Sequence, residues 1–341
     1  MHTIDLKNYS IRTDLAIEAI SNQKNISKKI RNIEDITVTN ILLTKEQGKM
    51  INKKEGFYTT IEFVDITDYE KREKVKETFI EELKKLLEKC SIKEDDTCLV
   101  LGLGNKNSTP DALGPMSIDN IIVTNHLFQL GSVENGFRPV CALAPGVMGT
   151  TGIETLELLK SIVNTVKPNF VIAIDALASQ SVERLNKTIQ MTNTGIHPGS
   201  GIGNNRKEIS FETIKIPVIA IGVPTVVDAV TIVSDTIRYM YKHFSYMKEN
   251  MNKPINKLIG IQNINYLKEE TNLKEEDKET LLGVVGSLKD EEVKQWIFEV
   301  LSPIGYNLMV TPKEVDFLME KLSDVIGNGI NHVLHKKVNK N

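Results

Sequence analysis

Leu99-Val-Leu-Gly-Leu-Gly-Asn105 is the stretch that decides the fold class of this chain. A short apolar run that breaks into glycines is typical of a buried central strand whose carboxyl end leads into a loop. In open α/β sheets, ligands and catalytic groups gather at that end of the strands. The chain continues as Ser108-Thr-Pro-Asp-Ala-Leu-Gly-Pro115, so the carboxylate of Asp111 is the first candidate functional group.

A second apolar run, Phe170-Val-Ile-Ala-Ile-Asp-Ala-Leu-Ala178, presents a carboxylate in the same way, at Asp175. Each acid alone also fits a structural role, Asp111 at a helix N-terminus and Asp175 as the cap of a turn. Parallel strands lie about 4.8 Å apart, so acids at the ends of neighbouring strands can reach one water molecule. One of two such close carboxyls keeps its proton, and the pair can then deprotonate water and protonate a leaving amine. The two runs together therefore predict an acid–base site.

The order of apolar and amphipathic segments predicts an α/β fold with a three-layer, doubly wound, mostly parallel sheet. Ahead of this core, β-branched runs at 36–65 predict a small β-rich addition, and an amphipathic helix is expected at 68–90. In chain order we then expect strands at 98–103, 138–144, 169–177 and 216–223, and helices at about 112–128, 151–166, 226–243, 289–301 and 312–326. We assign the core to 98–247, a variable insertion to about 248–279 and C-terminal helices to 287–327.

Composition and charge narrow the function classes. The chain has 341 residues and a formal net charge of −3, which gives no electrostatic case for direct nucleic-acid binding. Basic pairs such as Lys28-Lys29 and Lys53-Lys54 are interpreted as solvated surface. The sequence shows neither an apolar run of the roughly 20 residues that a membrane span needs nor a signal-peptide core. Its three cysteines form neither a disulfide framework nor a metal spacing, so we expect a cytoplasmic protein without a membrane partner.

A glycine-rich loop, Gly195-Ile-His-Pro-Gly-Ser-Gly-Ile-Gly203, follows the second acid. Its exposed amides are suited to binding an oxyanion or an extended peptide, which makes His197, Gly199 and Gly201 candidate substrate-binding residues. His197 with the two acids would also be a known metal ligand set, although no second histidine is near in sequence.

Two other readings of the core motifs are weaker. Gly102-Leu-Gly104 lacks the third glycine and the later acid of a dinucleotide fingerprint, which favours a tight turn, and no cofactor is predicted. The sequence has no Gly-x-Ser-x-Gly elbow and no cysteine in a nucleophile motif, so serine or cysteine hydrolysis is not expected.

Long motifs along nearly the whole chain carry a resemblance to a known family. They include Ile11-Arg-Thr-Asp-Leu-Ala16, Thr109-Pro-Asp-Ala-Leu-Gly-Pro115, Ala144-Pro-Gly-Val-Met-Gly149, Ile172-Ala-Ile-Asp-Ala-Leu-Ala178, Thr194-Gly-Ile-His-Pro-Gly-Ser-Gly201 and Asn307-Leu-Met-Val-Thr-Pro-Lys-Glu-Val-Asp316. With these motifs the chain resembles the germination proteases of spore-forming bacteria, endopeptidases that degrade small acid-soluble spore proteins. The stretch 248–279 fits that pattern least.

The resemblance implies a zymogen that assembles as a homotetramer in the forespore and spore core. It also implies a fold similar to hydrogenase-maturation endopeptidases and an atypical aspartic-type mechanism whose two acids fall on Asp111 and Asp175. Because the maturation enzymes bind nickel, a metal-dependent peptidase or nickel-linked maturation protease that adds His197 is the alternative enzyme. A nucleotide- or peptide-binding module without catalysis is the alternative outside enzymes.

The family also removes its own N-terminal segment and cuts after acidic residues. Arg12-Thr-Asp-Leu-Ala-Ile-Glu18 resembles the family's substrate pattern. We therefore predict cleavage between Asp14 and Leu15, which gives a propeptide at 1–14 and a peptidase domain at 15–341. A subsite for an acidic residue needs a cation, and Arg206 is the first candidate because arginine binds carboxylates in bidentate fashion. The alternative is that Arg206 belongs to an exposed basic pair.

Overall fold

The computed structural model describes residues 13–20, 23, 25–131, 133–199, 206–250, 273–301 and 308–340. These residues form two compact units. The larger unit takes its residues from Arg12–Val226 and Thr311–Asn341, and the smaller unit takes most of its residues from Val227–Val310. Most of the predicted propeptide, Gly201 and the middle of the predicted insertion lie outside the described residues.

A mixed nine-stranded sheet is the centre of the fold. Its strands are β1 (Lys28–Ile33), β2 (Ile36–Leu43), β3 (Gly56–Phe63), β4 (Cys98–Gly102), β5 (Val140–Leu143), β6 (Phe170–Ser179), β7 (Thr188–Thr192), β8 (Val218–Asp228) and β9 (Met309–Val310). The order across the sheet is β1-β2-β3-β7-β8-β6-β4-β5, and β9 pairs with β8. Strand β4 is parallel to both β5 and β6, whereas β1, β2, β3, β7 and β8 pair antiparallel in turn.

Helices pack on both faces of this sheet. The larger unit contains α1 (Ala16–Ala19), α2 (Lys45–Met50), α3 (Tyr69–Lys89), α4 (Leu113–Asp119), α5 (Asn125–Gln129), α6 (Met148–Thr151), α7 (Thr155–Val166), α8 (Phe211–Ile214) and α12 (Val315–Leu334). Side chains of β6 alternate between two cores, as strand geometry requires. Ile172 and Ile174 share a core with α3, α4 and α12, whereas Val171 and Ala173 share the other core with α7. The three-layer α/β architecture is therefore confirmed.

The antiparallel half of the sheet extends further than the predicted N-terminal addition. Strand β7 lies within the core sequence but pairs with β3, and so it joins the N-terminal strands to β8. Neither β1 nor β7 was expected from the sequence. The β7 residues Thr188-Ile-Gln-Met-Thr192 are all buried. Because this run is short and about half polar, its sequence does not predict a buried strand.

The helix expected at about 112–128 is wrong as a single element, because it breaks into α4 and α5. Asn331, from the far end of the chain, binds the backbone at the break through both atoms of its amide. Its Nδ2 donates to the carbonyl of Asn120 at 2.7 Å, and its Oδ1 accepts from the N–H of Ile122 at 2.9 Å. A buried side-chain amide thus replaces the helical hydrogen bonds.

The smaller unit contains α9 (Ala229–Asn250), α10 (Glu275–Leu282), α11 (Asp290–Leu301) and β9. The predicted insertion begins in the last turn of α9 and ends in α10, and its residues 251–272 lie outside the described part. Lys248 and Asp277, at the two ends of that stretch, form an ion pair at 2.7 Å. Among the described helices, none combines the length and the apolar character that a membrane crossing needs.

Candidate active site

Asp175 lies on strand β6 and is almost completely buried. The side chain is 4% exposed, and its Oδ1 accepts a 3.0 Å hydrogen bond from the backbone N–H of Ala176. Burial raises the pKa of Asp175 well above its ordinary value, and the nearby carboxyl groups of Asp111 and Asp14 raise this pKa further. Asp175 therefore retains its proton at pH values where an exposed aspartate is ionised.

Asp111 ends a short 3₁₀ turn, Thr109–Asp111, in the loop after β4. The backbone N–H of Asn105 donates to Oδ2 of Asp111 at 2.9 Å and also to the Asp111 carbonyl oxygen at 3.0 Å. Burial raises the pKa of Asp111, while the Asn105 hydrogen bond and the charge of Arg206 oppose this rise. Asp111 is half-buried and has a donor for its ionised form, so it is the better carboxylate of the two.

Glycines bring the Asp111 loop against the strand ends. Gly104 has φ = +110°, and a Cβ at this position would lie 2.0 Å from the carbonyl oxygen of Asp111. A Cβ on Gly114 would lie 2.2 Å from the Leu103 carbonyl oxygen and 2.7 Å from that of Ile174, in β6. The tight turn expected at Gly102-Leu-Gly104 is therefore confirmed. It allows the backbone at Gly104 to lie directly against the backbone of Asp111.

A polar side chain of β8 also holds the loop. Thr225, which is fully buried, donates from Oγ1 to the carbonyl of Pro110 at 2.6 Å. Strands β4 and β6 are hydrogen-bonded neighbours, as the interpretation of the two acids required. The structure thus brings Asp111 and Asp175 together at one edge of the parallel strands.

The remaining candidate residues, in the glycine-rich loop and just after it, lie in different surroundings. The positive charge of Arg206 is near enough to both acids to oppose the rise in the pKa of each. His197 is exposed, and its Nε2 lies 3.4 Å from Oε2 of Glu208. Gly199 has φ = +70°, and Gly201 lies outside the described residues.

A metal site would require several side chains that can bind one metal ion together. Within the described part of the chain, no three side chains of His, Cys, Asp or Glu lie close enough together to hold a metal ion. His197 with Asp111 and Asp175 therefore does not form the site that the metal-dependent alternative requires.

The predicted cleavage segment lies beside the end of β6. The N–H of Asp14 donates to the carbonyl of Ala178 at 3.3 Å, and the N–H of Ala178 donates to Oδ2 of Asp14 at 2.9 Å. Leu15 is fully buried in the same core as Ala173 of β6. The proximity of the Asp14 carboxylate to Asp175 was missed, because nothing in the local sequence relates two acids so far apart in the chain.

Lys53 corrects the interpretation of its basic pair as solvated surface. Its side chain is half-buried, and its Nζ donates to the carbonyls of Thr13 at 2.8 Å and Asp14 at 3.1 Å. Burial lowers the pKa of Lys53, against the opposing charges of Asp14 and Glu18. No local signal distinguishes such a lysine from the surface lysines around it.

Comparisons with known proteins identify the family to which the chain is similar. A family model described as germination protease matches residues 5–341. The germination protease of Priestia megaterium is 47% identical and covers 99% of this chain and 97% of its own length. The germination protease of Bacillus subtilis is 48% identical over 99% of this chain and 96% of its own length. The [NiFe] hydrogenase maturation protease HycI from Thermococcus kodakarensis is a structural match with 14% identity and a TM-score of 0.27, covering 42% of this chain and 80% of HycI.

Proposed function

Because the chain belongs to the germination protease family and is a peptidase of spore germination, we propose that it is an aspartic-type endopeptidase that degrades small acid-soluble spore proteins. The observation that carries this proposal is the pair formed by Asp111 and the buried Asp175. In keeping with the family resemblance, the proposal includes synthesis as a zymogen, assembly as a homotetramer and action in the spore core.

The two acids take different roles because their surroundings differ. The ionised carboxylate of Asp111 accepts a proton from a water molecule, whose oxygen attacks the carbonyl carbon of the peptide bond. Asp175, which holds its proton, donates it to the nitrogen of the leaving amine as the C–N bond breaks. The proton on Asp111 then returns to Asp175 directly or through water, which restores the starting state.

Substrate preference and self-processing use the same edge of the sheet. Arg206, whose charge acts on both acids, is proposed to bind the acidic residue that precedes the cut bond. The first substrate is proposed to be the chain itself, cut between Asp14 and Leu15. The position of Asp14 against Ala178, at the end of the strand that carries Asp175, supports this step.

The decisive experiment measures cleavage of a small acid-soluble spore protein by Asp111→Asn and Asp175→Asn variants of a chain that begins at Leu15, so that the result does not depend on release of residues 1–14. Each is expected to keep its fold and to lose at least ~100-fold of the activity, since each removes one proton-transfer step. Asp119→Asn is the matched control, because Asp119 is an exposed acid of α4 that pairs with Lys106. Circular dichroism and thermal unfolding check the fold of every variant.

The outcomes separate the three hypotheses. A near-wild-type rate in either variant would remove that acid from the mechanism. Loss of activity on exhaustive chelation, with recovery on adding back a metal, would favour the metal-dependent alternative. A wild-type chain that begins at Leu15 and binds a spore protein without cleaving it would favour the binding module.

A further inference from the structure

We propose that Lys53 and Gln190 are further catalytic residues of self-processing, which together bind the carbonyl oxygen of Asp14. This is the carbonyl of the bond between Asp14 and Leu15, so the inference rests on the proposed self-cleavage at that bond. Lys53 and Gln190 would orient this bond and stabilise the negative charge that develops on the carbonyl oxygen of Asp14 during the reaction.

Two donors from separate parts of the fold converge on this one oxygen. Nζ of Lys53, in the turn between α2 and β3, lies 3.1 Å from the Asp14 carbonyl oxygen. Nε2 of Gln190, on β7, lies 3.1 Å from the same oxygen. When water attacks this carbonyl, the oxygen becomes negative, and preorganised donors at hydrogen-bond distance stabilise that charge.

Gln190 also fixes the chain on the far side of the bond. Its Oε1 accepts a 2.6 Å hydrogen bond from the N–H of Ala16, so one side-chain amide spans Leu15. Gln190 itself is 6% exposed and is held by the pairing of β7 with Thr60 and Gly222 on the neighbouring strands. A buried amide on a central strand gives this segment a fixed register.

The placement of Lys53 costs free energy that a purely structural contact does not require. Its ammonium group is partly desolvated and donates to two backbone carbonyls, with Asp14 and Glu18 as the nearby compensating charges. A neutral donor is enough to satisfy a resting carbonyl, whereas the gain from a cationic donor becomes much larger when the oxygen carries a negative charge. A lysine at this position is therefore better matched to the charged intermediate than to the resting peptide.

The test follows self-processing of the full-length chain by mass spectrometry of its N-terminus. Lys53→Met and Gln190→Glu are each expected to slow release of residues 1–14 by about 100-fold, the range found for loss of one oxyanion donor. Lys53→Arg keeps a cationic donor and is expected to recover most of the rate. Gln190→Glu keeps the shape and the acceptor for Ala16 and loses the donor toward Asp14 when its carboxyl is ionised, so its processing rate is compared with that of the wild type at alkaline pH to separate charge stabilisation from register.

Lys49→Met is the matched control, since Lys49 is an exposed lysine of α2. Wild-type processing rates in folded Lys53→Met and Gln190→Glu would overturn the inference and leave self-cleavage standing, and so would equal slowing by Lys53→Arg and Lys53→Met. If Lys53→Met does not fold, Gln190→Glu decides. A wild-type chain cut at another bond, or normal processing of Asp175→Asn, would instead overturn the proposed self-cleavage.

Discussion

The carboxyl group of Asp111 raises the pKa of Asp175, which is already raised by the burial of Asp175 in β6. This relationship makes the two acids unequal although they are the same residue type. The buried member holds the proton, and the member with the Asn105 hydrogen bond loses it more readily. Both the stability of the fold and the rate of self-processing therefore depend on pH.

The first prediction concerns stability. Because the pKa of Asp175 is raised on folding, the folded chain binds more protons than the unfolded chain, and this carboxyl destabilises the fold increasingly as pH rises. Asp175→Asn is therefore expected to increase the free energy of unfolding at neutral pH by about 1 kcal/mol or more, since each tenfold change in proton affinity corresponds to about 1.4 kcal/mol. The gain should disappear near about pH 4, where an unfolded aspartate is also protonated. Urea unfolding of both proteins at the two pH values measures this, and a gain that is independent of pH would contradict it.

The second prediction concerns the rate of self-processing. The mechanism needs one proton on the pair, so the rate of release of residues 1–14 is expected to rise as pH falls below neutral. At more acidic pH it should fall again, as Asp111 also takes up a proton. N-terminal mass spectrometry of samples stopped at intervals gives the rate at each pH. A rate that increases steadily with pH would show that the step does not depend on a protonated carboxyl.

The third prediction concerns Gly104. Alanine there would place its Cβ 2.0 Å from the carbonyl oxygen of Asp111, at a φ of +110° that alanine rarely adopts. Gly104→Ala is expected to destabilise the fold by about 2 kcal/mol or more and to reduce cleavage, since the loop must move away with Asp111. Gly149→Ala is the stability control, because a Cβ on this α6 glycine meets nothing within 4 Å. Equal thermal stability of the two variants would show that the loop adapts without cost.

The two acids could be predicted from the sequence because the signal is local. Each follows an uninterrupted apolar run, and a buried strand with a polar residue at its carboxyl end is decided by neighbouring residues alone. The alternation of strands and helices likewise identified the parallel part of the sheet. These features need no knowledge of contacts between distant segments.

The features that could not be predicted depend on contacts between segments that are distant in the sequence. The break between α4 and α5 is caused by Asn331, which binds Asn120 and Ile122 from the opposite end of the chain. Gln190 lies in a short strand that pairs with β3, and its role toward Asp14 becomes visible only when both segments are in place. Neither residue differs in its local sequence from an ordinary surface amide.

The last prediction concerns the cation beside the acid pair. Arg206→Ala removes the proposed partner of an acidic substrate residue, but it also removes a charge that lowers the pKa of both Asp111 and Asp175. The measured quantity is therefore the ratio of kcat/KM for two peptides that differ only in Glu or Gln before the cut bond, since the effect on the acids cancels in this ratio. The ratio is expected to fall about 10-fold or more, the cost of losing a charged hydrogen bond. Lys207→Ala is the matched control, because Lys207 pairs with Glu157 at 2.9 Å on the exposed surface. A ratio that stays at the wild-type value in Arg206→Ala would assign the preference for acidic residues to another group.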